Sequence, residues 1–331
     1  MSTLITPVAH AAAGLIGLGS YRPERIVTND EVAVRIESSD EWIRERSGII
    51  ERRYATAEET AASMGAVAGA RAIKDAGLEP TDIDVVMVAT FTHRFQTPSA
   101  AAEVSHLVGA TNASAFDISA ACAGFCYGLA IADSLIRAGS ATHILVVGTE
   151  KLSDFLNPDD RGTAFIFADG AGAVVVSATT TQGISPTVWG ADGSAMDAII
   201  MEPDSVQAGI THEPSLITMQ GQRVFRWAVG SMGDVCKDAL AKSGLQASDL
   251  KAFVPHQANL RITSAIVKHL DLPESVIITK DIEYTGNTSA ASIPLALDAL
   301  RSSGQIKSGD PVLLVGFGAG LTYAAQVALT P

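Results

Sequence analysis

The segment KDAGLEPTDIDVVMV at residues 74–88 has a counterpart in KSGLQASDLKAFV at residues 242–254. Each reads as the end of a helix, a Gly-Leu turn, a short stretch closing on aspartate, and then an apolar strand. Later in each half, Ala138-Gly139 ahead of Ile144-Leu145-Val146-Val147-Gly148 matches Ser303-Gly304 ahead of Val312-Leu313-Leu314-Val315-Gly316. The offsets within the two halves are about the same, which points to an internal duplication of one βα unit. A seam in the Thr-Thr-Thr-Gln-Gly stretch near 178–184 divides the chain into halves 1–180 and 181–331.

Outward from these repeats, apolar strand candidates recur at 85–89, 144–148, 171–176, 253–254 and 312–316. Helix-length segments lie near 59–76, 98–108, 122–138, 222–243, 257–269 and 288–303. Strands alternating with helices predict an α/β architecture with sheet buried between helical layers. With 331 residues, 47% hydrophobic and 18% charged, the chain can bury a large core and exceeds one ordinary domain.

A net charge of −13 argues against nucleic acid as a general partner, because phosphate binding needs a basic surface. It leaves room for a local basic patch. The opening MSTLITPVAHAAAGLIGLG has no basic n-region ahead of its apolar stretch, and no apolar run reaches about twenty residues. Neither a secretory signal nor a membrane span is expected, and a cytoplasmic, reducing setting fits. Cys122, Cys126 and Cys236 fall short of the two pairs of a structural zinc site, and no histidine pair accompanies the i, i+4 spacing of Cys122 and Cys126. No metal is expected.

"DISAACAGFCYG", residues 117–128, places Cys122 where a strand-like run, 114–118, gives way to a small-residue helix. A helix start has unpartnered N–H groups and a partial positive charge, which favours thiolate over thiol. The competing reading is a packed thiol, since free cysteine commonly behaves as a small buried hydrophobe. "VPHQANLRI", 254–262, puts His256 at a strand end, and "TGNTSAASIP", 285–294, puts Asn287 in a turn ahead of a helix. Element ends held by a rigid sheet are where functional groups are presented. Taken singly, a lone histidine is more often a satisfied structural residue, and an asparagine after glycine is more often a turn. The closing "GFGAGLTY", 316–323, lacks phosphate-loop spacing, but its small residues let backbone N–H groups approach a reacting oxygen.

With Cys122 in "DISAACAGF", His256 in "PHQAN" and Asn287 in "GNTSAAS", in this order and near these separations, the chain resembles the β-ketoacyl-acyl-carrier-protein synthase III family of the thiolase superfamily. The resemblance runs from "SSDEWIRERSGI" at 38–49 through "DRGTAFIFADGAG" at 160–172 to the closing glycine-rich run. It implies a five-layered αβαβα thiolase-like fold of two duplicated halves, a homodimer, and no metal or redox cofactor, with a coenzyme A thioester as substrate. It further implies that Cys122 accepts an acyl group from acyl-CoA. Malonyl-acyl-carrier protein then loses carbon dioxide and attacks the acyl thioester, with His256 and Asn287 hydrogen-bonding the enolate oxygen. Backbone N–H groups of Cys122 and of the Gly318-Ala319 region are implied as the oxyanion hole; the family often has glycine where Ala319 stands.

By the same resemblance Trp42 and Arg161 flank the coenzyme A adenine and Arg46 lies near its phosphates. Arg226, Arg261 and Lys268 match basic positions where the acidic carrier protein docks. Thr97, in "THRFQTPSA", falls where some members place a phenylalanine closing the acyl pocket, which implies room for a branched or longer primer. Rival readings are a thiolase, which would need a second catalytic cysteine in the closing loop, and a non-decarboxylating acyltransferase acting on a hydroxyl or amine. A cysteine hydrolase and a non-enzymatic acyl-CoA or carrier-protein binding module are the others. Retention of His256 and Asn287 together favours condensation.

Overall fold

The structure is a computed structural model that describes residues 9–331; residues 1–8, on which the reading of the opening segment partly rests, lie outside the described residues. The first half contains β1 (Ala12–Tyr21), β2 (Arg25–Thr28), α1 (Asn29–Ala33), α2 (Asp40–Ser47), β3 (Glu51–Tyr54), α3 (Ala61–Asp75), β4 (Val85–Ala89), α4 (Ala100–Val108), β5 (Ser114–Ile118), α5 (Gly124–Arg137), β6 (His143–Lys151) and β7 (Asp169–Thr179). It is followed by β8 (Val188–Ala191), β9 (Ile199–Glu202), α6 (Ser205–Thr211), β10 (Leu216–Met219), α7 (Gly221–Ser243), β11 (Ala252–Pro255), α8 (Leu260–Leu270), β12 (Ile277–Ile278), α9 (Ile282–Thr285), α10 (Ser292–Ser302), β13 (Pro311–Gly318) and β14 (Thr322–Leu329).

The strands form two five-stranded sheets of matching topology. The first has the order β1-β7-β6-β4-β5 and the second β8-β14-β13-β11-β12. In each, three neighbouring strands are parallel and the remaining two pair antiparallel. The repeated turns match as well. Gly77 and Gly244 end α3 and α7 with φ of 69° and 75°, and Gly139 and Gly304 follow α5 and α10 with φ of 73° and 71°. Left-handed backbone at these turns is what makes glycine the residue in both copies.

Side-chain alternation along the strands builds the layers. Ile144 and Val146 face inward with Met87 onto α5 and α10, whose Phe125, Leu129, Ile293 and Leu297 also meet Val312 and Leu314 of the second sheet. Leu145 and Val147 face outward onto α3 and α4, while Leu313 and Val315 face α7 and α8. The result is a five-layered αβαβα stack with α5 and α10 in the middle. Two insertions, residues 22–60 after β1 and 192–220 after β8, fold together through Ile43, Ile49, Phe165 and Ile217.

Three helices start later than the sequence pattern suggests. Turns of 3₁₀ helix at Ala121–Ala123 and Ser289–Ala291 precede α5 and α10, and Asn259 caps α8 by accepting from Arg261 N. β1 was not legible as a strand, because Gly17 and Gly19 interrupt its apolar pattern. A Cβ at either would come within 2.3 Å of the Ala72 or Ala68 carbonyl oxygen of α3.

Phe125 joins both sheets from the central layer and is fully buried. Phe125→Ala is expected to destabilise the protein by about 3–5 kcal/mol, read as a lower denaturation midpoint.

Candidate active site

The duplication brings two equivalent turns face to face. Ala121 and Ser289 each stand three residues before their central helix, and both hold positive φ, 44° and 50°, that non-glycine residues rarely adopt. Cys122 follows Ala121 and stands beside the Ser289 side chain. His256 comes from the end of β11, and Asn287 from just ahead of the second turn. All three line one cavity of about 940 Å³.

His256 is buried and its Nδ1 lies 2.7 Å from Ser292 Oγ, which accepts the Gln257 backbone N–H at 3.3 Å. When the Ser292 hydroxyl gives its own proton to Nδ1, Nε2 is the protonated nitrogen. Burial drives the His256 pKa down to about 3, so the imidazole is neutral. Asn287 Oδ1 accepts the Ser289 backbone N–H at 2.8 Å, and its Nδ2 has no protein partner among the described residues. Two neutral side chains therefore offer N–H donors to one cavity, which suits a developing oxyanion.

Cys122 departs from the thiolate expectation. Burial pushes its thiol up to about 12, offset in part by the Ser289 side chain, with the nearby Glu150 charge adding to the rise. The helix-start field is outweighed by loss of water and by a buried carboxylate. Cys126, one turn further on, is packed in the core and is likewise held at about 12. Gly318 closes against the nucleophile: a Cβ there would lie 2.8 Å from Cys122 Cβ and 2.9 Å from Sγ. Ala319 is not among the residues with left-handed φ, so alanine sits there without backbone strain.

Arg46, Arg161, Arg226 and Arg261 are exposed residues along the cavity, whose lining contains no Asp or Glu. None of the four forms an ion pair among the described residues, whereas the neighbouring Arg44 and Arg223 pair with Asp40 and Asp197. Arg161 and Arg46 place their guanidinium carbons 4.7 and 5.6 Å from the centre of the Trp42 ring. Lys268 is exposed two turns along α8 from Arg261 and outside the cavity lining.

Thr97 lies on the loop after β4, outside the residues that line this cavity within one chain. It is exposed, and the residue that its loop contributes to this cavity is Phe91. Sequence reasoning also missed the apolar wall, which includes Met201, Ile217 and Met219 from the β9–β10 hairpin, and it missed Ser292 and Glu150. Glu150, a carboxylate closing an apolar strand run, carried a signal that could have been noticed.

This is a thiolase-like fold with a cysteine, histidine and asparagine around one cavity, the architecture of a condensing enzyme. Residues 116–193 match the description 3-oxoacyl-[acyl-carrier-protein (ACP)] synthase III, and residues 240–329 match the C-terminal part of the same description. The β-ketoacyl-[acyl-carrier-protein] synthase III of Mycobacteroides abscessus is 51% identical, over 96% of this chain and 95% of that protein. The protein of the same name from Streptomyces glaucescens is 50% identical over 96% of each. The crystal structure of the priming β-ketosynthase from the R1128 polyketide biosynthetic pathway has a TM-score of 0.96 at 45% identity, covering 100% of this chain and 99% of that one. The chain belongs to the β-ketoacyl-acyl-carrier-protein synthase III family.

A methyl group at position 318 would displace Cys122. Gly318→Ala is expected to slow acylation of Cys122 by about 10²-fold, measured by intact-protein mass, and to lower the melting temperature.

Proposed function

We infer that this chain initiates fatty acid or polyketide synthesis by decarboxylative condensation of an acyl-CoA primer with malonyl-acyl-carrier protein. The observation that carries the residue roles is that His256 Nε2 and Asn287 Nδ2, neither with a partner among the described residues, belong to side chains lining the cavity that holds Cys122.

Cys122 Sγ bonds to the acyl carbonyl carbon and coenzyme A leaves as its thiol. Backbone N–H groups of Cys122 and of the Gly318-Ala319 region hold the transient oxyanion. In the second half, the bond from the malonyl carbon to its carboxylate breaks and carbon dioxide departs. The electron pair moves onto the thioester oxygen, where His256 and Asn287 receive it, and the enolate carbon then attacks the acyl group and expels Cys122 sulfur. Coenzyme A enters as substrate. Transfer to a hydroxyl or amine without decarboxylation is not favoured, since it leaves the paired donors without an enolate to stabilise.

Trp42, Arg46 and Arg161 form the coenzyme A subsite in this reading. Arg161 now rests on the Trp42 face, and an adenine between them requires about 7 Å, two stacking contacts, so the exposed arginine swings out to admit the base. Arg226 and Arg261 at the cavity, with Lys268 beyond them, form the docking surface for an acidic carrier protein, supported by their lack of carboxylate partners. A homodimer is supported by β5, an edge strand with Phe116 exposed, the kind of edge that pairs with a second chain. The halves 1–180 and 181–331 are supported by the two sheets, one drawn from residues 12–179 and the other from 188–329. A cytoplasmic setting accords with three free cysteines.

Incubation with a panel of acyl-CoAs is expected to add the acyl mass at Cys122 and not in Cys122→Ala; malonyl-acyl-carrier protein then discharges it as β-ketoacyl product. An adduct that survives malonyl-carrier protein would instead indicate acyl transfer to another acceptor.

His256→Ala and Asn287→Ala are each expected to slow the discharge step by about 10²–10³-fold. Because the His256 pKa is lowered to about 3, the ring stays neutral throughout the range above that value. Discharge from pre-acylated enzyme should therefore show no histidine inflection near pH 6.5, as followed by carbon dioxide release in single turnover.

A further inference from the structure

Glu150 is a fully buried carboxylate near the end of β6 that takes no part in the condensation steps. Its two oxygens are treated differently. Oε2 accepts from Thr92 Oγ1 at 2.6 Å, Thr90 Oγ1 at 3.0 Å and the Phe91 backbone N–H at 3.3 Å. Oε1 has one partner among the described residues, Ser289 Oγ at 3.3 Å. The Ser289 side chain also stands beside the Cys122 thiol, where it works against the effect of burial on its pKa. The Ser289 hydroxyl thus stands between the thiol and the under-occupied carboxylate oxygen to which it donates, on the strained turn that faces Cys122.

We propose that Glu150, acting through the Ser289 hydroxyl, takes up and stores the Cys122 proton while the acyl group is on the sulfur. The inference rests on the reading of Cys122 as the acyl acceptor. As Sγ bonds to the acyl carbon, its proton passes to Ser289 Oγ and the Ser289 proton passes to Glu150 Oε1. Coenzyme A leaves with the carbon–sulfur electron pair and takes a proton from solvent. When condensation expels Cys122 sulfur with its bonding pair, the stored proton returns along the same path. The acyl-enzyme then contains a neutral thioester and a neutral carboxylic acid, so no charge is left buried at the site.

The electrostatics agree with this geometry. Burial raises the Glu150 carboxyl to about 7, against its four hydrogen bonds, so it accepts a proton readily near neutral pH. Protonating it also removes the negative charge that contributes to raising Cys122. The other ionisable groups on the surrounding elements are His93 in the loop after β4, Lys151 and Asp169 on β6 and β7, and His256 at the cavity. Lys151 is turned away onto the Thr56 and Glu59 carbonyls, and Asp169 accepts from Ser153 and Ala55.

The test is the rate of Cys122 acylation by acetyl-CoA from pH 5.5 to 9, followed by intact mass, in wild type, Glu150→Gln and Ser289→Ala. Wild type is expected to speed up through an inflection near pH 7, where Glu150 ionises, and then level off. Both variants should acylate about 10²-fold more slowly at pH 7.5 and lose the inflection, rising steadily with hydroxide. Infrared difference spectra should show a protonated carboxyl band on acylation of wild type and none in Glu150→Gln. Ser289→Ala keeps the carboxylate and its Oε2 donors, and Ala121 already occupies the equivalent turn position, so it tests the path even if Glu150→Gln fails to fold. Variants that keep the wild-type inflection and rate would overturn the proposal. Absence of any acyl adduct in wild type would instead overturn the reading of Cys122.

Discussion

Everything functional in this molecule depends on how tightly the two central helices approach each other between the sheets. α5 and α10 are duplicated copies of one element, and their leading turns meet where the sheets leave almost no space. A Cβ on Gly148 would fall 2.3 Å from the Ala290 carbonyl oxygen, and one on Gly316 would fall 2.9 Å from the Ala123 backbone. Small residues at these points let the turns interlock, which brings Cys122 to Ser289 and Asn287 without a flexible loop. Dense packing of this kind holds catalytic geometry because a displacement at one side chain is opposed by many contacts.

The same burial sets the chemistry. It keeps His256 neutral, raises the Cys122 thiol and raises the Glu150 carboxyl, so each group is held in its uncharged form or close to its titration point. A dry site strengthens hydrogen bonds to an enolate and makes any unpaired charge costly. The arginines at the mouth are solvated and without ion pairs among the described residues, a local positive patch on a chain of net charge −13 that leaves the interior uncharged.

Much of this was legible along the chain. The glycine turns at 77 and 244, and at 139 and 304, expose the duplication, since left-handed backbone demands the same residue in both copies. Apolar runs such as Ile144–Gly148 and Val312–Gly316 stand out because their strands are buried on both faces. β1 escaped notice because close packing against α3 requires glycine at 17 and 19, which removes the periodicity that marks a strand. The exposed position of Thr97 escaped as well, because the course of the loop after β4 is set by packing and not by local pattern.

Local chemistry and periodicity were enough to establish the repeated α/β units and the order of the cysteine, histidine and asparagine motifs, since these follow from neighbours in the chain. The protonation of Cys122, the tautomer of His256 and the place of Glu150 were settled only by folding. Each depends on a partner far away in the chain: Cys122 and Ser289, His256 and Ser292, Glu150 and Thr92. Water exclusion and hydrogen bonding across such separations arise from three-dimensional packing, and no local pattern carries them.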